Sequence, residues 1–272
     1  MDLFSEYGTI LIILAGAFGF FMAWGVGAND VANAMGTSVG SKALTIKQAI
    51  LIAMVFEFAG AYLAGGEVTS TIRKGIVDSE IFTNSPDLLV FGMLSALLAA
   101  GTWLMIASFM GWPVSTTHSI VGAIVGFAAV GVSVDAVNWS KVSTIVASWV
   151  VSPVIAGTIS FALFRSVQNL ILIHDDPFVR AKKYAPLYMF AVGFLMAMVT
   201  ILKGLKHVFK DIGMSLSFGE SIVWSAMFGI LIAMLGSYLL SKVTRDLALE
   251  ETNRFANVER VFAVLMIFTA CS

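Results

Sequence analysis

The sequence predicts an all-α, multi-pass transmembrane helical bundle with a broken first helix and a re-entrant helical hairpin. Three observations carry that expectation. Of the 272 residues, 58% are hydrophobic and only 12% charged, and the mean hydropathy is +0.92, well outside the balance of a soluble domain. Uncharged stretches at residues 9–28, 88–110, 142–164, 185–202 and 221–241 match the about 20 helical residues that a hydrocarbon core of ~30 Å requires. Polar residues then interrupt this apolar pattern in two places, at residues 25–41 and 111–119.

Taken in order, the first stretch follows Asp2 and Glu6 rather than Lys or Arg, and no small-residue cleavage site precedes the next polar motif. It is therefore a spanning helix and not a signal peptide. Residues 49–66 are long enough to span but carry Glu57 near their midpoint. A carboxylate at that depth marks function by default, here as a coupling-ion or proton group, the alternative being a structural ion-pair or hydrogen-bond partner. Residues 111–134 are uncharged, open on Gly111-Trp112-Pro113 and crowd their polar side chains into the first third. A re-entrant hairpin accounts for that, and irregular backbone at membrane depth is tolerated only when buried in protein or lining a cavity.

Arg73 and Lys74 suit an interfacial flank, and residues 204–219 include a candidate surface helix. Lys42 and Lys47 follow the first helix while no Lys or Arg precedes it, which favours an N-terminus outside, although residues 165–183 and 203–210 are both basic on successive sides. The last apolar run, residues 261–272, is too short to cross a bilayer, so the chain is expected to be the truncated N-terminal portion of a longer protein. A net charge of -1 provides no basic face for nucleic acid. The single cysteine, Cys271, excludes an internal disulfide and a cysteine-rich metal cluster.

The chemistry concentrates at the two polar interruptions. In the first, Asn29 and Asn33 are spaced i, i+4 and Asp30 and Asn33 i, i+3, so all three share a helix face. Carboxylate and amide oxygens are hard ligands for a small cation, and an unwound backbone would add carbonyls. An ionised Asp at this depth costs at least ~2.5 kcal/mol and calls for a partner, for which Na+ is suited. In the second interruption Ser115, Thr116 and Thr117 follow Pro113 at the start of a helix. Orphan amides, the positive end of the helix dipole and three hydroxyls make an oxyanion site.

Weaker alternatives exist for each motif. Gly and Ala in residues 25–41 also suit close helix packing, and Ser or Thr can bond back to their own helix. His118 fits a structural hydrogen-bonding role better than a metal site, since one His supplies one of several ligands. A hydrolase with Ser115 or Thr116 as nucleophile and His118 as base lacks an orienting carboxylate nearby in sequence. The chain is thus not expected to be an enzyme, and no cofactor is expected beyond a transported coupling ion.

The segment Gly27-Ala28-Asn29-Asp30-Val31-Ala32-Asn33-Ala34, with Gly36-Thr37 and Gly40-Ser41 after it, resembles the signature of the inorganic phosphate transporter (PiT) family. Phe56-Glu57 with Gly60, residues 71–76, and residues 113–122 resemble further family segments in the same order.

The resemblance implies a carrier of two inverted repeats, each with an Asn-Asp helix break and a Pro-Ser-Thr hairpin, meeting at a midplane site. On that basis residues 1–272 form a single transporter domain. A first repeat covers about 1–165, connecting helices about 184–241, and the start of a truncated second repeat about 255–272. Asp30, Ser115, Thr116 and Thr117 would bind phosphate, and Asn29, Asp30 and Asn33 a cation (Na+), with Glu57 as the coupling candidate. The implied activity is secondary active transport of phosphate with sodium or protons by alternating access. Sulfate is the rival substrate and a non-transporting scaffold the rival class. The expected partners are phosphate, Na+ or protons, the lipid bilayer of the plasma or inner membrane, and a second copy in a homodimer.

Overall fold

The computed structural model describes residues 3–77, 82, 85–205, 209 and 216–270. Nearly all of them are helical, as expected. The helices are α1 (Leu3–Gly40), α2 (Ile46–Gly75), α3 (Pro86–Met110), α4 (Thr116–Gly131), α5 (Trp139–Val167), α6 (Pro177–Val199), α7 (Phe218–Ser241), α8 (Leu247–Thr252) and α9 (Ala256–Ala270). Single π-helical turns, Gln168–Leu172 and Thr200–Gly204, extend α5 and α6. Among the described residues, five helical stretches are long and apolar enough to cross a membrane: Glu6–Gly40, Pro86–Met110, Trp139–Leu172, Pro177–Gly204 and Phe218–Ser241. Each contains one of the uncharged stretches read from the sequence. Most of the candidate surface helix at 204–219 and the Arg73 and Lys74 side chains lie outside the described residues, as does Cys271.

The first helix is not broken at the glycine-rich motif but runs unbroken through Asn29–Asn33 to Gly40. Glycine costs about 1 kcal/mol in a helix interior, whereas proline both removes a donor and clashes. No proline lies between Leu3 and Gly40, so the sequence loosens this helix without stopping it.

The chain divides into two compact units, Met1–Ala34 with Val68–Ser152, and Met35–Glu67 with Pro153–Ser272. In the first unit α3 and α4 form an antiparallel pair around Ala96, Val121, Ile124 and Ala128, closed at one end by Ile76, Val137 and Val142. Gly92 on α3 lies against the Phe127 ring of α4, where a Cβ would overlap the ring. The early part of α1 approaches α3 at two glycines: a Cβ on Gly25 would stand 3.0 Å from Leu104 Cβ, and one on Gly101 2.7 Å from the Phe21 ring. Gly25 thus serves helix packing, while Gly27, Gly36 and Gly40 have open space around them.

In the second unit α6 packs on α7 and α9 around Ile171, Ala185, Met189, Leu240 and Val261. Sequence signals set the helix starts. Asp176 caps α6, accepting from the Val179 amide (3.2 Å), with Pro177 at the first helical position. Ser217 and Glu220 form a capping box that starts α7. Ser221, Ser225, Gly229 and Gly236 are the buried residues of α7 together with Leu240. At Gly193 of α6, an added Cβ would lie 3.2 Å from Gly229 Cα. The two backbones meet because neither helix carries a side chain at the crossing.

A polar corner joins α6 to α8 and α9. Arg245 donates to Asp176 (Nη1 to Oδ2, 3.0 Å) and through Nε and Nη2 to both oxygens of Glu250 (2.6 Å each). Asn257, 1% exposed, bridges the Asp246 amide, the Asp246 carbonyl and Glu250. The hydrogen bonds from Arg245 hold the Glu250 carboxyl below its ordinary value, against the opposing effect of burial. Glu250 therefore contributes stability that is fully present above its unfolded pKa of about 4.3. That contribution is lost as pH falls through the lower folded value. Acidification from pH 5 to pH 3 should speed amide hydrogen exchange across residues 245–257 in detergent-solubilised protein, after correction for the intrinsic pH dependence of exchange, and Glu250→Gln should show the fast exchange at both pH values. Corrected exchange rates in Glu250→Gln that still depend on pH as in the parent protein would refute this role.

Candidate functional site

The two polar motifs meet in the first unit. The α3 helix ends in a Schellman turn: Gly111 is left-handed (φ 68°), its amide bonds to the Ser108 carbonyl (3.2 Å), and the Trp112 amide bonds to the Ala107 carbonyl (2.8 Å). Only glycine adopts that φ without strain. Pro113 then biases Trp112 towards extended backbone, and the chain remains non-helical to Ser115. Ser115 is the N-cap of α4, its hydroxyl accepting from the His118 amide at 3.3 Å. Pro113 therefore lies ahead of the cap, not at the first helical turn.

This turn places the start of α4 beside α1. The Thr116 hydroxyl donates to Asp30 Oδ2 at 3.0 Å, and both residues are half-buried. Asn29, 5% exposed, donates through Nδ2 to the Trp112 carbonyl (3.0 Å), while its Oδ1 accepts from the Val114 amide (3.3 Å) and from Asn33 Nδ2 (3.0 Å). Asn33, Ser115 and Thr117 are exposed. The i, i+4 pairing expected of Asn29 and Asn33 is thus a direct hydrogen bond. Glu57 lies on an exposed part of α2, in the other unit.

Chemically, the cluster joins a carboxylate to the N-terminal end of a helix. The first amides of α4 have no partner within the helix, and they carry the positive end of its dipole. The Thr116 hydroxyl lies at this end on Asp30, and Thr117 follows in the same turn, exposed. Two contacts of the site do not follow from its motifs. The backbone of Trp112 and Val114 partners Asn29, and the Trp149 ring of α5 lies against the His118 ring, tilted by 33° with centroids 3.9 Å apart. The first had a signal: an extended segment around a proline leaves backbone polar groups that must find partners. The second pair, 31 positions apart in sequence, had none.

Fold and site together define a multi-pass, all-helical membrane protein. Residues 26–272 match the model of the phosphate transporter family, and the chain belongs to that family. It is 49% identical over 273 residues to a putative phosphate permease of Haemophilus influenzae, a match covering 100% of this chain and 64% of that protein. It is 49% identical over 185 residues to the chloroplastic inorganic phosphate transporter 2-1 of Arabidopsis thaliana, covering 68% of this chain and 30% of that protein. A solved structure described as the sodium-dependent phosphate transporter superposes with a TM-score of 0.83 at 38% identity, covering 96% of this chain and 62% of that one. The chain therefore spans a little under two thirds of these bacterial and structural relatives.

Proposed function

We propose that the protein carries inorganic phosphate across the cell membrane together with a cation, sodium or a proton, by alternating access at a site that includes Asp30, Thr116 and Thr117. The observation that carries this proposal is the hydrogen bond from Thr116 to Asp30 at the first turn of α4. Without a cation, the Asp30 carboxylate engages the hydroxyl that an oxyanion needs, and its charge repels that oxyanion. A sodium ion or a proton on Asp30 removes both obstacles, which couples the two solutes electrostatically. Ser115, Thr116, Thr117 and the free amides of α4 then hold the phosphate oxygens. Asn33 shares the cation face with Asp30, and Glu57 is a second candidate coupling group. The names of the relatives support phosphate as solute and sodium as coupling ion.

In this proposal residues 1–165 form the first of two inverted repeats. Residues 184–241 connect the repeats, and the second begins near residue 255. The decisive experiment is labelled phosphate uptake into proteoliposomes driven by an inward sodium or proton gradient. Saturable, gradient-dependent uptake that a tenfold excess of sulfate leaves above half its rate is expected. Absence of gradient-dependent uptake, or uptake of labelled sulfate that phosphate does not suppress, would refute it. Thr116→Ala should raise the phosphate concentration for half-maximal uptake about tenfold, as expected for losing one hydrogen bond to a charged group. An unchanged value would remove Thr116 from the phosphate site.

A further inference from the structure

We infer that Asn29 is not a cation ligand but a positioning residue, the clasp that holds the Trp112–Val114 segment, and with it the first turn of α4, against α1. The inference rests on the phosphate-site proposal only for its functional readout; the clasp itself stands on geometry. A side-chain amide has one acceptor oxygen and one nitrogen with two hydrogens. The Asn29 oxygen already accepts two hydrogen bonds, from the Val114 amide (3.3 Å) and Asn33 Nδ2 (3.0 Å), which use both of its lone pairs. The nitrogen donates to the Trp112 carbonyl at 3.0 Å. At 5% exposure the group is closed off from solvent.

The two backbone contacts straddle Pro113, which has no amide hydrogen of its own. Asn29 therefore pairs with the carbonyl before the proline and the amide after it, as a neighbouring strand would. Both contacts are partly buried, so leaving either backbone group unpartnered would be costly. Because the next residues are the cap Ser115 and then Thr116, fixing Trp112–Val114 sets where the α4 amides and the Thr116 hydroxyl stand relative to Asp30.

Asn29→Asp separates the roles. Aspartate keeps the oxygen that a cation would use and adds charge, but it loses the donor to the Trp112 carbonyl and sets an anion beside it. Asn29→Gln keeps both donor and acceptor on a longer stem. The measurements are hydrogen–deuterium exchange over residues 111–119, equilibrium binding of radioactive sodium without phosphate, and phosphate uptake.

The clasp predicts at least tenfold faster exchange confined to residues 111–119 in both Asn29→Ala and Asn29→Asp. It also predicts sodium binding within twofold of the parent in Asn29→Ala, a tenfold or greater rise in half-saturating phosphate in both, and partial recovery of each in Asn29→Gln. Unchanged exchange with sodium binding lost in Asn29→Ala and kept in Asn29→Asp would overturn it in favour of a ligand. If the parent protein shows no phosphate uptake, the transport proposal fails while the exchange data still decide the clasp.

Discussion

Asp30→Asn should reduce gradient-driven phosphate uptake at least 100-fold in proteoliposomes of matched protein content. The substitution retains size and can still accept the Thr116 hydroxyl, so the fold of the first unit is kept. What disappears is the negative charge that draws the cation and, once neutralised, admits the anion. A 100-fold loss corresponds to about 2.8 kcal/mol, within the range by which an opposite charge at 4–6 Å favours a charged group. The coupling account also predicts which capacity survives. With Asn at position 30 no carboxylate repels an oxyanion, so phosphate binding measured without sodium should persist or tighten, while its enhancement by sodium is lost. Gradient-driven uptake within threefold of the parent would show that the cation is bound elsewhere.

The second large effect is expected on assembly of the fold. Gly229→Leu should prevent α6 and α7 from packing, giving aggregated protein on size exclusion or an apparent Tm lowered by more than 10 °C in detergent. At Gly229 an added Cβ meets both the Phe190 ring and the Phe190 carbonyl oxygen at 3.0 Å, and the reciprocal Cβ on Gly193 meets Gly229 Cα at 3.2 Å. A ring can turn, but a backbone crossing has no such freedom. Overpacking a tight core costs about 1–3 kcal/mol even where side chains yield. Gly157→Ala on α5 is the control. Open space surrounds Gly157, so this change should leave Tm unchanged or raise it, by up to about 1 kcal/mol of helix propensity. A Gly229→Leu protein that elutes and melts like the parent would show that this crossing is not what holds the second unit together.

The spans were legible in the sequence because membrane length and charge exclusion are one-dimensional properties: an uncharged run of sufficient length is visible without knowing its neighbours. Helix ends were less so. The α6 helix begins at Pro177, ahead of the uncharged stretch at 185–202, because the Asp176 cap and Pro177 start it while Arg180, Lys182 and Lys183 still occupy its first turns. The face of α7 that packs is the small-residue row Ser221, Ser225, Gly229 and Gly236, which the uncharged run at 221–241 does not by itself reveal. At the site, the helical spacing of Asn29 and Asn33 was correct. The partner of Asn29 was not readable, since Trp112 is 83 positions away and nothing local to either segment requires the other. The continuity of α1 is not legible in the sequence, for a physical reason. Glycines beside polar residues have the same composition whether a helix unwinds to bind an ion or stays wound to pass close to a neighbour, and at Gly25 the second holds.

That unwinding is absent has a consequence for hydration. In a continuous helix each carbonyl already accepts an amide four residues later and is aimed along the helix, so the backbone around Asp30 is a poorer source of oxygens for an ion than an unwound segment would be. The donors on α1 and α4 reduce to a carboxylate, the Asn33 amide oxygen and hydroxyls. Under the proposed function, a sodium ion held by these groups would keep much of its water shell, so little dehydration would accompany its arrival and little rebuilding its departure. Lithium, which is costlier to strip of water, should replace sodium here more readily than in a cage of carbonyls.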